Sequence, residues 1–254
     1  MRSDVEKLFD LRGKVALVTG GSRGLGRVMA EGFAHHGADV VIASRKLEAC
    51  EEVASSIRQS TGRRAIGVGA HVGRWSELEQ LVETCYQEFG SIDILVNNAG
   101  MSPVYDTVNS VTEELFDKVL DVNLKGPFRL AALVGTRMAA LNGGSIINIS
   151  SVGAIHPRPS TLPYAAAKAG LNAITVGLAH AFGPAVRVNA IMAGTFMTDV
   201  SSAWDPDMFA QRARGFALER GGQPDEILGS ALYLASEASS YTTGSLLTVD
   251  GGQP

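Results

Sequence analysis

The fold of this 254-residue chain is decided at positions 14–26, which read KVALVTGGSRGLG. Its first six residues, Lys14 to Thr19, form a β-branched apolar run that predicts a buried strand. The glycines after it let the backbone approach a phosphate, and the helical pattern through His36 offers unpaired N–H groups beside them. Arg27 and Val28 stand where an ATP- or GTP-binding loop ends in Lys-Ser/Thr. The stretch therefore predicts a phosphate-binding strand–turn–helix unit.

The same alternation of strand and helix continues to the end of the chain. Further strands are predicted at 39–44, 65–72, 92–97, 145–150, 186–191 and 245–249. Helical patterns are found at 47–61 and 77–89, from 112 past 123, at 164–182 and at 225–235, while 194–222 has weak periodicity. No linker interrupts this order, so we expect an α/β fold in one domain over residues 1–254. Its core is a single Rossmann-type, doubly wound parallel sheet of about seven strands with helices on both faces.

Composition and charge exclude several classes of function. The formal net charge is −4, so no basic field attracts nucleic acid. No apolar run is long enough to span a membrane, and Met1 to Lys14 lacks the apolar core of a signal peptide. Cys50 and Cys85 show no C-x-x-C spacing and are interpreted as free buried thiols. We therefore expect a cytoplasmic protein with no nucleic-acid partner, no membrane partner and no metal site.

A tyrosine and a lysine share one face of the helix predicted at 164–182. Tyr164 and Lys168 are four positions apart, so the phenol and the ammonium are neighbours. One positive charge ~4 Å away, at an effective dielectric of ~20, supplies about the 4 kcal/mol that brings a tyrosine pKa from ~10 to about 7. The pair is then able to donate and accept a proton near neutral pH. The alternative is a helix-capping tyrosine beside a solvated lysine.

Four segments that follow predicted strands are expected at the same edge of the sheet. They begin at Gly20, Asn98, Ser151 and Gly194. Parallel strands joined by right-handed crossovers end along one edge, and ligands bind there at the switch in strand order. The sequence therefore predicts one cleft that these four segments line.

The motifs and their order resemble the short-chain dehydrogenase/reductase family over residues 10–252. The chain has T-G-x-x-x-G-x-G at 19–26, N-N-A-G at 97–100, an asparagine in Asp-Val-Asn at 121–123, a serine thirteen positions before the tyrosine, and Y-x-x-x-K at 164–168. The resemblance implies a proton relay of Asn123, Ser151, Tyr164 and Lys168. Tyr164 would be the general acid–base, Ser151 would hold the substrate oxygen, Lys168 would lower the tyrosine pKa and bind the nicotinamide ribose, and Asn123 would position a water.

The resemblance also implies where a nicotinamide cofactor binds. The contacts come from the glycine turn, the ends of the second and third strands, the loop after the fourth strand, the catalytic helix and the segment after the sixth strand. They are Gly20, Ser22, Arg23, Gly24, Leu25, Gly26, Ser44, Arg45, His71, Val72, Asn98, Ala99, Gly100, Tyr164, Lys168, Gly194, Phe196 and Thr198.

Two positions depart from the family pattern. The family has Asp-Val at the end of the third strand, and this chain has His71 and Val72. We expect a neutral His71 to accept the hydrogen bond from the adenine amino group, or only to cover the adenine edge. The family's Pro-Gly after the sixth strand is Ala193-Gly194 here, which leaves the backbone free to bind the nicotinamide amide.

Basic residues at the expected adenosine ribose predict the identity of the cofactor. Arg23 lies inside the glycine turn and Arg45 follows the second strand, while Ser44 stands where an NAD-binding domain usually has an acidic residue. A 2′-phosphate suits guanidinium groups. We therefore expect NADP(H) in preference to NAD(H), unless both arginines are solvated surface charges.

The sequence thus predicts an NADP(H)-dependent oxidoreductase acting on a small-molecule carbonyl or secondary alcohol. A non-catalytic NADP(H)-binding regulator or scaffold, and an NAD(H)-preferring polyol or hydroxysteroid-type dehydrogenase, are the alternatives. The substrate loops are expected at 101–108, 154–163 and 195–220, the last as a lid. The lid and the residues beside it carry apolar side chains that either line the substrate cleft or pack the lid against the body of the protein: Met192, Phe196, Met197, Trp204, Met208 and Phe209. The apolar segments 227–235 and 245–249 resemble a family interface and predict a homotetramer or homodimer.

Overall fold

The computed structural model describes residues 7–199, 201 and 205–254 and contains a seven-stranded sheet. All neighbouring strands run parallel, in the order β3-β2-β1-β4-β5-β6-β7. The strands are β1 (Val15–Thr19), β2 (Asp39–Ser44), β3 (Ala65–Gly69), β4 (Ile94–Asn97), β5 (Gly144–Ser151), β6 (Val186–Ala193) and β7 (Leu246–Val249).

Helices cover both faces of the sheet. In the described part of the chain they are α1 (Gly24–His35), α2 (Leu47–Thr61), α3 (Trp75–Phe89), α4 (Glu113–Leu120), α5 (Gly126–Ala140), α6 (Leu162–Phe182), α7 (Pro206–Ala213) and α8 (Leu228–Ala235). The predicted Rossmann-type α/β fold is therefore confirmed.

Successive residues of the central strand β1 face opposite sides of the sheet, and apolar side chains cover both sides. Ala16 and Val18 belong to the apolar cluster formed with α1, α2 and α8. Leu17 belongs to the cluster formed with α3, α5 and α6. Full burial of a valine or leucine such as Val18 or Leu17 contributes about 1.5–3 kcal/mol, so the β-branched run at 14–19 forms a strand covered on both faces.

The strand order reverses next to β1. Val15 is aligned with Asp39 of β2 on one side, and Ala16 is aligned with Ile94 of β4 on the other. The crossovers from these two strands leave toward opposite faces, so a crevice opens outside their carboxyl ends. The fold therefore brings the residues that follow β1, β4, β5 and β6 to one edge of the sheet, as predicted.

Several element boundaries differ from the sequence prediction for local reasons. β3 ends at Gly69 instead of residue 72, because the N–H of His71 turns away to the Glu77 carboxylate. The helix predicted from 112 past 123 is interrupted by a π turn at Asp121–Lys125. Residues 224–227 form a 3₁₀ turn ahead of α8.

The short helix α7 was not predicted, because polar and bulky residues obscure its periodicity. Asp205 caps its N-terminus by accepting hydrogen bonds from the N–H groups of Asp207 and Met208, at 2.9 and 3.0 Å. Pro206 occupies its first turn. An Asp-Pro pair is a recognised helix-start signal and would have identified this helix.

Neither membrane spans nor disulfides are found in the described ranges. No helix there combines the length and apolar character that crossing a bilayer requires. Cys50 and Cys85 are buried free thiols, as predicted.

Candidate active site

The glycine turn between β1 and α1 is too tight for side chains at two positions. Gly20 has φ +64°, and a Cβ there would lie 2.8 Å from Nδ2 of Asn98. A Cβ at Gly26 would collide with the carbonyl oxygen of Gly20. Arg23, the N-cap residue of α1, makes no side-chain cap hydrogen bond, so the first N–H groups of the helix remain available to a ligand. This cradle fits the phosphate groups of a dinucleotide.

Other predicted contacts along the turn offer different groups. Ser22 and Gly24 are partly exposed, whereas the side chain of Leu25 packs against the core, so only its backbone faces the turn. The methyl group of Thr198 lies 3.5 Å from the position of a Cβ at Gly24. The segment after β6 therefore covers the glycine turn.

Thr19 and Asn98 hold the glycine turn against β4. The Thr19 hydroxyl donates to the carbonyl of Val96 at 3.1 Å and accepts from the N–H groups of Asn98 and Ala99 at 3.0 and 3.2 Å. Nδ2 of Asn98 donates to the carbonyls of Thr19 and Gly20 at 2.9 and 3.2 Å. Asn98 and Ala99 are thus supports of the turn, and Thr19, which leads the glycine motif, is a site residue that sequence reasoning missed.

The residues expected at the adenosine ribose are not equally free. The Ser44 hydroxyl lies 3.0 Å from the Cys50 thiol. Arg23 forms an exposed ion pair with Asp199 at 3.4 Å, which the sequence did not reveal. Arg45 is exposed and has no partner among the described residues. Arg45 is therefore the more available of the two predicted phosphate ligands. Arg23 would have to give up its ion pair with Asp199 before it could bind a phosphate.

The hydrogen bonds of His71 fix what its ring can offer a ligand. The backbone N–H of Gly73 donates to Nδ1 at 3.1 Å, so Nδ1 is an acceptor already in use. A neutral ring then carries its proton on Nε2 and is a donor there. In this arrangement a neutral His71 would offer the adenine a donor at Nε2, instead of the acceptor that the sequence suggested. Val72, beside it, is nearly buried.

Tyr164 and Lys168 lie one turn apart on α6, as predicted. Lys168 is only 3% exposed, which contradicts the alternative of a solvated lysine. Its Nζ donates to the carbonyl of Ile149 at 2.7 Å and lies 5.7 Å from the centroid of the Tyr164 ring. Burial lowers the pKa of Lys168 to about 8.

Tyr164 lies beside Ser151, the last residue of β5: a Cβ at Gly153 would lie 3.4 Å from Oγ of Ser151 and 3.8 Å from Cε1 of Tyr164. Burial raises the pKa of Tyr164 above its usual value, and the neighbouring Ser151 hydroxyl acts in the opposite direction. The prediction that the pKa falls to about 7 is therefore wrong for this structure, because it counted the lysine charge and ignored desolvation. Ser151 also accepts from the N–H of Gly153 at 3.1 Å, which fixes the serine beside the tyrosine.

Asn123 lies in the π turn and anchors the loop after β4. Its Oδ1 accepts from the N–H of Met101 at 3.2 Å, and its Nδ2 donates to the carbonyl of the same residue at 2.9 Å. A Cβ at Gly100 would lie 2.9 Å from Oδ1 of Asn123 and 3.8 Å from Nζ of Lys168, so these three residues adjoin. The side-chain amide is occupied by backbone groups, so any water held here would have to bind the backbone of the π turn, a feature frequent at functional sites.

The segment after β6 is held by backbone contacts. The N–H of Gly194 donates to the carbonyl of Val249 at 2.9 Å. Phe196 forms an isolated parallel bridge with Gly222, and its side chain is buried, as is that of Met192. Gly194 and Phe196 can therefore offer a ligand their backbone but not their side chains.

The predicted lid contains apolar residues of two kinds. Met197 and Phe209 pack at one point, each 3.0 Å from the position of a Cβ at Gly221. Met208 is 71% exposed. Trp204 lies outside the described residues. Packing on the body thus accounts for Met197 and Phe209, whereas Met208 presents an open apolar surface.

The loops 101–108 and 154–163 are joined by a tyrosine that sequence reasoning did not identify. The Tyr105 hydroxyl donates to the carbonyl of Pro159 at 2.7 Å and accepts from the N–H of Leu162 at 2.9 Å. Leu162 is the first residue of α6, two positions before Tyr164. The hydroxyl therefore ties one substrate loop to the helix that carries the predicted proton donor.

Similarity to known proteins agrees with this geometry. Residues 20–253 match a family model described as enoyl-(acyl carrier protein) reductase. The chain is 36% identical over 247 residues to human dehydrogenase/reductase SDR family member 4, covering 96% of this chain and 88% of that protein.

Solved structures resemble it over nearly their whole length. A putative short-chain alcohol dehydrogenase from Sinorhizobium meliloti 1021 has a TM-score of 0.92 at 36% identity, with 97% of this chain and 98% of that one covered. A gluconate 5-dehydrogenase from Burkholderia cenocepacia J2315, in complex with NADP and tartrate, has a TM-score of 0.92 at 33% identity and 98% coverage of both chains. The chain therefore belongs to the short-chain dehydrogenase/reductase family and is an oxidoreductase that acts on CH–OH or C=O groups with a nicotinamide cofactor.

Proposed function

We propose that this enzyme transfers hydride between NADP(H) and a small-molecule carbonyl or secondary alcohol, with Tyr164 as proton donor and acceptor. One observation carries the proposal: Tyr164 lies beside Ser151 and one helical turn from a buried lysine. A nicotinamide, when bound, supplies or accepts the hydride. The residues of the chain are left to position the substrate and to move the proton.

The protonation states favour carbonyl reduction near neutral pH. Because burial raises the pKa of Tyr164, the phenol keeps its proton and can act as the general acid at the substrate oxygen. Below a pH of about 8, Lys168 is charged. The Lys168 ammonium lies 5.7 Å from the centroid of the Tyr164 ring. A charge at that distance stabilises the phenolate that remains after proton transfer by on the order of 3 kcal/mol at an effective dielectric of ~20. Ser151 would hold the substrate oxygen through its hydroxyl.

The glycine turn and its surroundings would hold the cofactor. Gly20 to Gly26 would take the pyrophosphate at the N-terminus of α1. Arg45 would bind a 2′-phosphate, joined by Arg23 once it leaves Asp199. Nε2–H of His71 would face the adenine. The NADP bound by the gluconate 5-dehydrogenase relative supports NADP(H) over NAD(H).

Two alternatives are disfavoured by particular residues. A non-catalytic regulator has no need of a buried Lys168, whose desolvation costs stability. An NAD(H)-preferring enzyme is disfavoured because the Ser44 hydroxyl faces Cys50 and no carboxylate stands at its position to bind a free ribose 2′-hydroxyl.

Replacing Tyr164 by phenylalanine tests the proposal. Reduction of a panel of ketones, followed at the nicotinamide absorbance, should fall by about 10²- to 10⁴-fold, while NADPH affinity stays nearly unchanged. Tyr241→Phe is the matched control, because Tyr241 is fully exposed. Retention of more than a few per cent of the activity by Tyr164→Phe would show that the acid–base assignment is wrong.

We also propose the organisation around this site. Residues 1–254 act as one dinucleotide-binding domain with a substrate lid at about 195–220, and the protein works in the cytoplasm as a homotetramer or homodimer. The edge strand β7 supports assembly, because Leu246 and Leu247 are only partly covered. Light scattering that returned the mass of a single 26.7 kDa chain at micromolar concentration would contradict this assembly.

A further inference from the structure

Arg212 stands at the carboxyl end of β6 and has no acidic partner among the residues that the structure describes. Its Nη2 donates to the Thr195 hydroxyl at 3.1 Å, and Thr195 directly follows Gly194. Its guanidinium lies 5.5 Å from the centroid of the Phe216 ring, within the range of a cation–π contact. The arginine is thus held in a defined position beside the predicted nicotinamide end of the cleft.

Arg158 lies on the loop between β5 and α6, just before the helix that carries Tyr164. The Tyr105 hydroxyl binds the carbonyl of its neighbour Pro159, so the loop is fixed at this point. The pKa of Arg212 is lowered first by burial and second by the positive charge of Arg158. The positive charge of Arg158 therefore adds to that of Arg212 at this end of the cleft.

No carboxylate of the described residues neutralises this pair. Most other described arginines form ion pairs. The nearby acids have other roles, since Asp199 pairs with Arg23 and Asp205 caps α7. A positive charge without a counter-ion favours an anion, which would gain hydrogen bonds from the Arg212 guanidinium and attraction from the charge of Arg158.

We propose that Arg158 and Arg212 bind an anionic group on the carbonyl substrate. The inference rests on the proposed oxidoreductase function and narrows its substrate to oxo acids or ketose phosphates. A planar guanidinium matches either a carboxylate or a phosphate in a two-point contact. Binding the anion at Arg212 and the reacting oxygen at Ser151 and Tyr164 would orient the carbonyl with two anchors.

Matched substrate pairs test this inference. Initial rates with NADPH are measured at low salt for 4-oxopentanoate against its methyl ester, and for dihydroxyacetone phosphate against dihydroxyacetone. The variants are Arg158→Gln and Arg212→Gln, with the exposed Arg214→Gln as control. For at least one pair, the anion should have the higher kcat/KM. Each of the two variants should reduce that value by about 10- to 100-fold, mainly through KM, while the neutral partner and the control change little. The pair that responds identifies the anion as carboxylate or phosphate.

The outcomes separate this inference from the function on which it rests. The anion site would be refuted if the wild type reduced the neutral substrates as well as their anions. It would also be refuted if neither variant changed the preference for the anion. Either result would leave the proposed oxidoreductase function unaffected. If the wild type reduced none of the four compounds, the calorimetric Kd of 4-oxopentanoate and of dihydroxyacetone phosphate for the enzyme–NADPH complex would decide. Binding weakened at least tenfold by Arg212→Gln and not by Arg214→Gln would support the site, and its absence would refute it.

Discussion

Replacing Lys168 with methionine measures what burial of this ammonium costs the fold. Burial lowers the native pKa of Lys168 to about 8, whereas its ordinary value is 10.5. The unfolded chain therefore holds the proton more tightly than the native chain. This penalty to native stability is complete below pH 8 and disappears as the pH rises toward the unfolded value.

The size of the effect follows from these two values. The difference between them corresponds to about 3 kcal/mol at pH 7 and to about 1 kcal/mol at pH 10. Wild-type stability relative to Lys168→Met should therefore increase by roughly 2.5 kcal/mol over that interval. The variant also loses the bond to the Ile149 carbonyl, but this is a constant offset that does not depend on pH. Tyr164 titrates in both proteins and largely cancels in the difference.

The assay is urea unfolding at 25 °C, followed by circular dichroism at pH 7, 8, 9 and 10 and at one protein concentration. Lys118→Met serves as control, because Lys118 is exposed, and its difference from the wild type should not vary with pH. If the difference between wild type and Lys168→Met were also constant, Lys168 would have an ordinary pKa, and the argument from burial would fail.

Three further predictions concern catalysis and cofactor binding. The kcat for ketone reduction should fall as the pH rises through about 8, because Lys168 loses its charge; a profile flat from pH 6 to 10 would contradict this role. The wild type should prefer NADPH to NADH in kcat/KM by about 10²- to 10⁴-fold at low salt, nearer the lower limit because Arg23 is already paired. Ser44→Asp combined with Arg45→Ala should shift that preference toward NADH. Equal kcat/KM values of the wild type for the two cofactors would refute the predicted preference for NADPH. His71→Leu should weaken NADPH binding by up to about tenfold, measured by calorimetry. An unchanged Kd would show that the His71 ring makes no hydrogen bond to the adenine and only covers its edge.

Sequence was a good guide wherever a short pattern determines local geometry. The strand and turn at 14–26 and the four-residue spacing of Tyr164 and Lys168 were predicted correctly. Parallel topology then brings the ends of several strands to one edge, so the common position of the segments that begin at Gly20, Asn98, Ser151 and Gly194 also followed from the sequence, whereas the pairing of Ser151 with Tyr164 came from the family resemblance.

What the sequence could not predict depends on pairs distant along the chain and on burial. Arg23 and Asp199 are 176 positions apart, and Tyr105 reaches Pro159 across 54 positions. The local periodicity of a sequence carries no information about contacts between residues so far apart. The pKa of Tyr164 was predicted with the wrong sign of shift, because a pattern of residue types gives neighbouring charges but not the solvent that packing removes.

The brace between the glycine turn and β4 has a consequence for how a nucleotide binds. Asn98 and Thr19 lock the turn through bonds that involve no ligand, so its shape exists before any phosphate arrives. Little backbone freedom is then left to lose on association, and ordering one residue costs about 1–2 kcal/mol. Nucleotide capture should therefore approach a rigid-body encounter, with a small entropic penalty and little slow rearrangement. Asn98→Ala would convert it into a slower event that orders the turn.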